Sequence, residues 1–231
     1  MNAEAEPIDR TGGMLTRVES AARVADSMDE AMVVDLGRRT FDYFENSRRA
    51  TYVQREYAIR NPRRFVGYGS DAWGISASDG PGPASRLVRG VRRRFYDYRA
   101  RGVPFGLDDG TLAPWAVAAS LPFAPEIVLP ALLYFSDMYP AVTGKYGYRC
   151  SLNPSFTVRE RDGSTWISTG HYAIDQGPVV LMIENHLSGL IWRLMRRCPH
   201  VATGLRRAGF RGGWLDAISR HARVSGDGAR G

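Results

Sequence analysis

The residues of this chain best suited to chemistry are carboxylates set among aromatics and hydroxyls. The segment Trp73-Gly74-Ile75-Ser76-Ala77-Ser78-Asp79-Gly80-Pro81 joins one indole, two hydroxyls and one carboxylate in a loop closed by Gly and Pro. Such a loop suits a sugar: Trp73 can stack on a pyranose face, while Ser78 and Asp79 handle hydroxyls or a proton. A second polar cluster, Tyr43-Phe44-Glu45-Asn46-Ser47-Arg48-Arg49, precedes it. A third, Ile174-Asp175-Gln176-Gly177-Pro178, follows and runs into Glu184-Asn185-His186. Carboxylates placed in this way could do acid–base work, and the candidates are Glu45, Asp79, Asp108, Asp109, Glu126, Asp175 and Glu184. Asp79 is the first choice, as a proton-transfer group, a sugar contact or a cap of its own loop. Glu45 is the second, and on a helix it equally fits an ion pair with Arg48 or Arg49. Asp175 fits a cap for the helix opening at Gly177-Pro178. Glu184, within a helix, fits a structural partner of Asn185 or of a neighbouring Arg.

The elements that must position these residues are read from apolar spacing and from Gly and Pro punctuation. Residues 1–12 read as a tail. Leu15, Val18, Ala22, Val24 and Met28 fall at helical spacing, with Met32, Val33 and Leu36 as a possible continuation up to Gly37. A second helix is expected from near Thr40 to Asn61-Pro62, and residues 66–83 read as loop. Arg86 to Arg101 reads as a helix with one basic face, or as a basic insertion. Another loop covers residues 102–112. A short helix with Pro114 in its first turn is expected over Ala113–Ser120. A strongly apolar helix is expected over Pro125–Met138, with Glu126 at the favourable end of its dipole. Residues 140–175 read mostly as loop, with short strands around Phe156–Val158 and Trp166–Ser168. Val179–Arg197, with Pro178 at its start, reads as the clearest helix, followed by His200–Ala208 and Trp214–Ala222. The fold class expected is therefore all-α, with the chemistry held in long loops between helices, as in a helical toroid whose loops build a cleft at one end.

Composition narrows the classes. A length of 231 residues is enough for one domain with a substantial core. The formal charge of +7 would attract phosphate. Lys145 is the only lysine, however, and the other basic residues are all arginine, a skew that fits genome composition. No nucleic-acid motif accompanies the dense run Arg86, Arg89, Arg92, Arg93, Arg94, Arg99, Arg101. That run reads as a solvated face, with a polyanion site as the alternative, and no nucleic-acid partner is expected. Cys150 and Cys198 fit no metal spacing and read as free thiols. His171, His186, His200 and His221 form no metal motif, so neither metal nor cofactor is expected. The first residues show no signal peptide, and no apolar run is long enough to span a membrane.

Taken in order, the loops resemble the glucoamylase-like family of bacterial glycoside hydrolases. That family includes endo-β-1,2-glucanases and the transglycosylating domain of cyclic β-1,2-glucan synthases. The matching stretches are Tyr43-Phe-Glu-Asn-Ser-Arg-Arg-Ala50, Trp73-Gly-Ile-Ser-Ala-Ser-Asp-Gly-Pro81, Asp109-Gly-Thr-Leu-Ala-Pro-Trp115 and Ser120-Leu-Pro-Phe-Ala-Pro-Glu126. They continue with Gly144-Lys-Tyr-Gly-Tyr148, Ile174-Asp-Gln-Gly-Pro178, Ile183-Glu-Asn185 with Trp192, and Gly209-Phe210. The resemblance implies an (α/α)6 toroid of which this chain carries roughly the C-terminal half, with residues 1–38 an atypical start, 39–222 the incomplete domain and 223–231 a tail. It implies action on β-linked glucan, most readily endo-hydrolysis of β-1,2-glucan by acid and base carboxylates, and a periplasmic or secreted full-length form. It implies sugar contacts from Arg48, Asp108, Trp115, Tyr172, Asp175, Gln176 and Glu184. Two departures stand out. The family's Trp-Gly-Ile-Ser-Glu-Ser glutamate aligns with Ala77, and Cys150 lies in a stretch where the transglycosylating relatives carry a carboxylate. The first points to Asp79 as a hydroxyl contact rather than a proton-transfer group, and the second to an inverting hydrolase or to a glucan binder without turnover.

Overall fold

The structure is a computed structural model and describes residues 33–35, 40–158 and 164–217. The helix expected over residues 14–32, Leu36 and the end of the helix expected at Trp214–Ala222 lie outside the described residues. The chain divides into two compact units, one of Phe44–Ile183 and one of the flanking segments on either side.

Helices and long loops make up most of the Phe44–Ile183 unit. Helix α1 (Tyr43–Arg60) has Glu45 in its first turn and Arg60 in its last, each favourable to the dipole. It ends where Asn61 adopts a left-handed φ of 42°. The Asn61 side chain closes the turn on Phe65, donating to its carbonyl and accepting from its N–H, both at 2.8 Å. Helices α2 (Pro114–Ala119) and α3 (Pro125–Met138) each open on a proline, whose missing N–H costs nothing there. Their apolar faces meet Trp73, Ile75, Leu112 and Leu152 in the main core. Trp73, Leu112, Val117, Val128, Phe135 and Leu152 are all at most 1% exposed, and burying each such side chain contributes about 1.5–3 kcal/mol. Gly74 has a φ of +103°, and a Cβ there would run into Val117 of α2. The Trp73-Gly74 pair therefore lets the loop dock on α2.

Short ladders modify the all-α expectation. Strands β3 (Ala84–Val88) and β4 (Val91–Phe95) pair antiparallel, where a basic helix was expected from Arg86. The reason is local. Arg89 and Gly90 have φ of 49° and 78°, two successive left-handed residues that make the tight hairpin turn matching strand twist. Val88, Phe95 and Phe156 then form a second small core, which a helix would not bring together. Strands β5 (Thr143–Gly144) and β6 (Gly147–Tyr148) form a hairpin. Strands β7 (Leu152–Thr157) and β8 (Thr165–Ile167) form another, close to the two short strands expected. Helix α4 spans Ala173–Ser188, with Pro178 inside it rather than at its start. Its Ile174, Val180 and Leu181 are exposed.

In the flanking unit, β1 (Val33–Asp35), β2 (Thr40–Asp42) and β9 (Phe210–Arg211) form an antiparallel sheet of order β2-β1-β9. Val33 is thus strand, not a helical continuation, and α1 starts after β2 rather than at Thr40. The single helix expected over Val179–Arg197 is two: α4 ends at Gly189, whose φ of 66° breaks the run, and α5 is Leu190–Arg197. The buried Asn185 side chain accepts the Trp192 N–H at 3.1 Å and fixes that corner. Helix α6 spans Pro199–Arg207. Among the described residues, no helix is long and apolar enough to cross a membrane.

Candidate active site

Asp79 sits on a loop whose backbone is held from beneath by a buried ion pair. Arg101 grips Asp109 in two parallel bonds, Nε to Oδ1 at 2.8 Å and Nη2 to Oδ2 at 2.9 Å, with neither side chain exposed. The remaining guanidinium protons go to the carbonyls of Ser78, Tyr96, Asp97 and Arg99. Ser78 also exchanges backbone bonds with Arg99 at 3.1 Å. Gly80 passes so close to the Arg101 guanidinium that a Cβ there would overlap it.

Above that anchor, every polar group of Asp79 but one is engaged. Its N–H donates to the Cys150 sulfur at 3.4 Å and its carbonyl accepts from Ser151 Oγ at 2.8 Å. Carboxylate oxygen Oδ2 accepts from Ser168 Oγ at 2.8 Å and from the Tyr172 hydroxyl at 3.0 Å. Ser168 Oγ is oriented in turn by the Gly170 N–H at 3.1 Å. No described residue donates to Oδ1 of the half-buried Asp79, so that oxygen is open to water or a hydroxyl. The hydrogen bond to Asp79, with its charge, raises the Tyr172 hydroxyl above its ordinary range and keeps it a donor.

Behind Asp79 lies a second carboxyl. Asp175, in the first turn of α4, is 4% exposed and its Oδ2 has no hydrogen-bond partner. Burial raises its carboxyl above the usual range, and the charge of Asp79 adds to that; a hydrogen bond from the Cys150 thiol works the other way. Burial pushes the Cys150 thiol up to about 12, with the bond to Asp175 and the charges of Asp175 and Asp79 reinforcing it against the Asp79 backbone bond. Cys150 is therefore a protonated thiol at neutral pH, a spacer and weak donor rather than a nucleophile. Cys150 and Cys198 are both free. Among the described residues, no three His, Cys, Asp or Glu side chains form a metal-binding group.

Of the site residues expected from the sequence, Asp79, Tyr172 and Asp175 come together here beside Cys150, and the others are engaged as follows. Trp73 is 1% exposed and Ser78 likewise, so neither can meet a sugar. The indole packs in the core, and the Ser78 hydroxyl turns back to the Ser76 carbonyl at 3.1 Å. Asp108 is a buried tie, accepting the hydroxyls of Tyr57 and Tyr68 at 2.9 and 2.7 Å and the Gly110 N–H at 3.0 Å. Glu45 pairs with Arg49 at 2.6 Å on α1, one turn apart. Arg48 bonds Glu126 at 2.7 Å and the Phe123 carbonyl at 2.9 Å. Burial alone would raise the Glu126 carboxyl, but hydrogen bonds from Tyr52 and its own backbone, with the Arg48 charge, hold it below the usual range. Trp115 is half-buried on α2 with an enclosed, unpartnered indole N–H. Gln176 donates to the Tyr148 carbonyl at 2.7 Å, bracing the β5–β6 turn. Glu184 lies in the other unit, where its carboxylate accepts from Ser188. Asp175 does not precede its helix as a cap, because α4 begins at Ala173. Ser151 and Ser168 were not singled out. The one signal for Ser168 was a hydroxyl-and-glycine run, Ser168-Thr169-Gly170, ahead of the Asp175 segment.

The Glycoamylase family model matches residues 25–199 of this chain. The chain belongs to that family. A curated relative, the exo-β-1,2-glucooligosaccharide sophorohydrolase (non-reducing end) of Parabacteroides distasonis, is 32% identical over 167 residues, which are 72% of this chain and 20% of that protein. The endo-β-1,2-glucanase of Chitinophaga pinensis, solved with sophorotriose and glucose, is 32% identical with a TM-score of 0.63, over 77% of this chain and 37% of that one. A solved β-1,2-glucanase of Parabacteroides distasonis is 29% identical with a TM-score of 0.59, over 74% of this chain and 22% of that one. The chain thus spans about a fifth of the curated relative's length and less than two fifths of these solved structures. This chain is mostly helical with small sheets.

Proposed function

We propose that this chain acts on β-1,2-linked glucan as a glycoside hydrolase, with Asp79 as the carboxylate at the reaction centre and endo-cleavage as the mode. The observation that carries the reading is the state of the Asp79 carboxylate, with Oδ2 held by two hydroxyls and Oδ1 open. A carboxylate fixed in that way can take a proton from an attacking water, the base role of an inverting enzyme. Asp175 sits behind Asp79 and shapes its field, being too buried to reach a sugar. The acid that protonates the leaving oxygen is a separate carboxyl. Glu45 remains the candidate, and its pair with Arg49 would have to open. Tyr172, 42% exposed beside Asp79, is the aromatic placed to meet a sugar ring. The helices are read as part of an (α/α)6 toroid, a reading supported by the exposed Ile174, Val180 and Leu181 of α4.

The test is release of reducing ends from linear β-1,2-glucan. Asp79→Asn is expected to lower the rate about 10²–10⁴-fold, and an unchanged rate sinks the assignment. Glu45→Gln at full rate removes Glu45 from the acid role. Retention of anomeric configuration by NMR overturns the inverting mechanism, and release of sophorose alone overturns endo-cleavage.

A second reading, glucan binding without turnover, is favoured by the burial of Asp175 and the ion pair of Glu45, which leave Asp79 as the one open carboxylate of its cluster. Calorimetric binding of β-1,2-glucooligosaccharide with no product separates this reading from the first.

A further inference from the structure

At the β3–β4 hairpin lies a cavity of about 330 Å3 whose lining includes Arg63, Arg92, Arg93, Arg94, Phe65 and Tyr96. It shares no residue with the Asp79 cluster. We propose that this cavity binds a phosphate-class anion.

Four arginines line one cavity, and among the described residues none of them forms an ion pair; the arginines that do are Arg48, Arg49, Arg99 and Arg101. The acid in the lining is Asp108, and its carboxylate is spent on Tyr57, Tyr68 and the Gly110 N–H. The hairpin register adds to the imbalance by setting Arg86 directly opposite Arg93, where like charges are unfavourable. An anion would offset this repulsion, and no described side chain does.

Three of the guanidiniums are held in place, Arg63 by donating to the Asp108 carbonyl at 3.3 Å. Arg93 lies over the Phe65 ring at 5.1 Å and donates to the Arg63 carbonyl, while Arg94 lies over the Tyr96 ring at 5.2 Å. Stacking fixes the plane of the fork, so less side-chain freedom is lost when it closes on an anion. The Arg93 Nε is enclosed without an acceptor. A carboxylate offers two oxygens to these arginines. A phosphoryl group offers three strong acceptor oxygens and close to two charges, and guanidinium forks match it in pairs. The chemistry therefore favours phosphate over carboxylate. The source is either free phosphate or a phosphoryl group carried on a sugar.

Isothermal calorimetry with inorganic phosphate at constant ionic strength tests this. Arg92 and Arg94 are exposed on the hairpin, so Arg92→Gln with Arg94→Gln leaves its apolar core intact. This pair is expected to weaken binding at least about tenfold, whereas Arg196→Gln with Arg197→Gln on α5, removing equal charge elsewhere, changes it less than about twofold. Arg63→Gln is a second variant expected to weaken binding, with circular dichroism confirming its fold. Absence of phosphate binding to the intact chain at about 10 mM, or equal weakening by both double variants, overturns the proposal. Tighter binding of glucose 6-phosphate than of phosphate assigns the source to a phosphorylated sugar, and equal binding assigns it to free phosphate. The site does not depend on glucan hydrolysis, and loss of either reading leaves the other standing.

Discussion

Two pairs of aspartates in the Phe44–Ile183 unit have opposite fates. Asp108 and Asp109 have both carboxylate oxygens engaged: Asp109 by Arg101, the Tyr96 N–H and the Thr111 N–H, Asp108 by two tyrosines and the Gly110 N–H. Asp79 and Asp175 each keep an oxygen without a described donor, one open and one buried. A fully satisfied buried carboxylate holds loops together. A carboxylate left partly unsatisfied beside another one carries a cost that folding alone does not require, and such sites are where chemistry is placed. The difference is invisible in residue type, since all four are Asp.

The comparison breaks most severely at Asp109. Asp109→Ala strands the Arg101 guanidinium in the interior, and the expected loss is about 3–5 kcal/mol of unfolding free energy, read from the urea midpoint. A loss below about 1 kcal/mol would mean that the pair is not the anchor of the Asp79 loop. Asp79→Asn should do the reverse, keeping stability within about 1 kcal/mol while turnover falls about 10²–10⁴-fold. Equal damage to both properties would erase the distinction. Tyr172→Phe removes one of two donors to Oδ2, and about a tenfold fall in turnover is expected with little change in melting temperature; full activity would show that Ser168 alone orients Asp79.

The smallest effects are in pH dependence. The folded Asp175 carboxyl is raised, so the folded state binds its proton more tightly than the unfolded chain does. Its stabilisation is complete below the ordinary carboxylate range and is lost as pH rises through the raised value. Asp175→Asn should therefore lack that decline. Glu126 has the opposite sign: its carboxyl is held low, so its contribution is present above the ordinary range and is lost as pH falls through the lowered value. With Arg48 and Glu126 both partly exposed, Glu126→Gln should cost less than about 1 kcal/mol at neutral pH. Identical stability–pH curves for the two variants would contradict both assignments.

Much of the fold was legible locally. Pro114 and Pro125 mark helix starts, Asn61-Pro62 marks an end, and the apolar run to Met138 marks a helix, because each acts through its own backbone. The hairpin at Arg89-Gly90 was misread because the density of arginine outweighed the short alternation of Val88, Val91 and Phe95. The break at Gly189 was lost inside an apolar pattern that continues on both sides. Within the site, Asp79, Tyr172 and Asp175 were named from sequence, but Trp73 and Ser78 were taken as sugar contacts from their neighbours alone.

The sequence by itself determined the family, most helices, and the loop that bears Asp79. Only the tertiary structure decided which carboxylate is free. The hydrogen-bond partners of Asp79 are Cys150, which accepts its N–H, and Ser151, Ser168 and Tyr172, which donate to its oxygens, all between 71 and 93 residues away. Local propensity extends over a turn or two of chain, whereas the satisfaction of a buried oxygen depends on which distant segments the core brings against it.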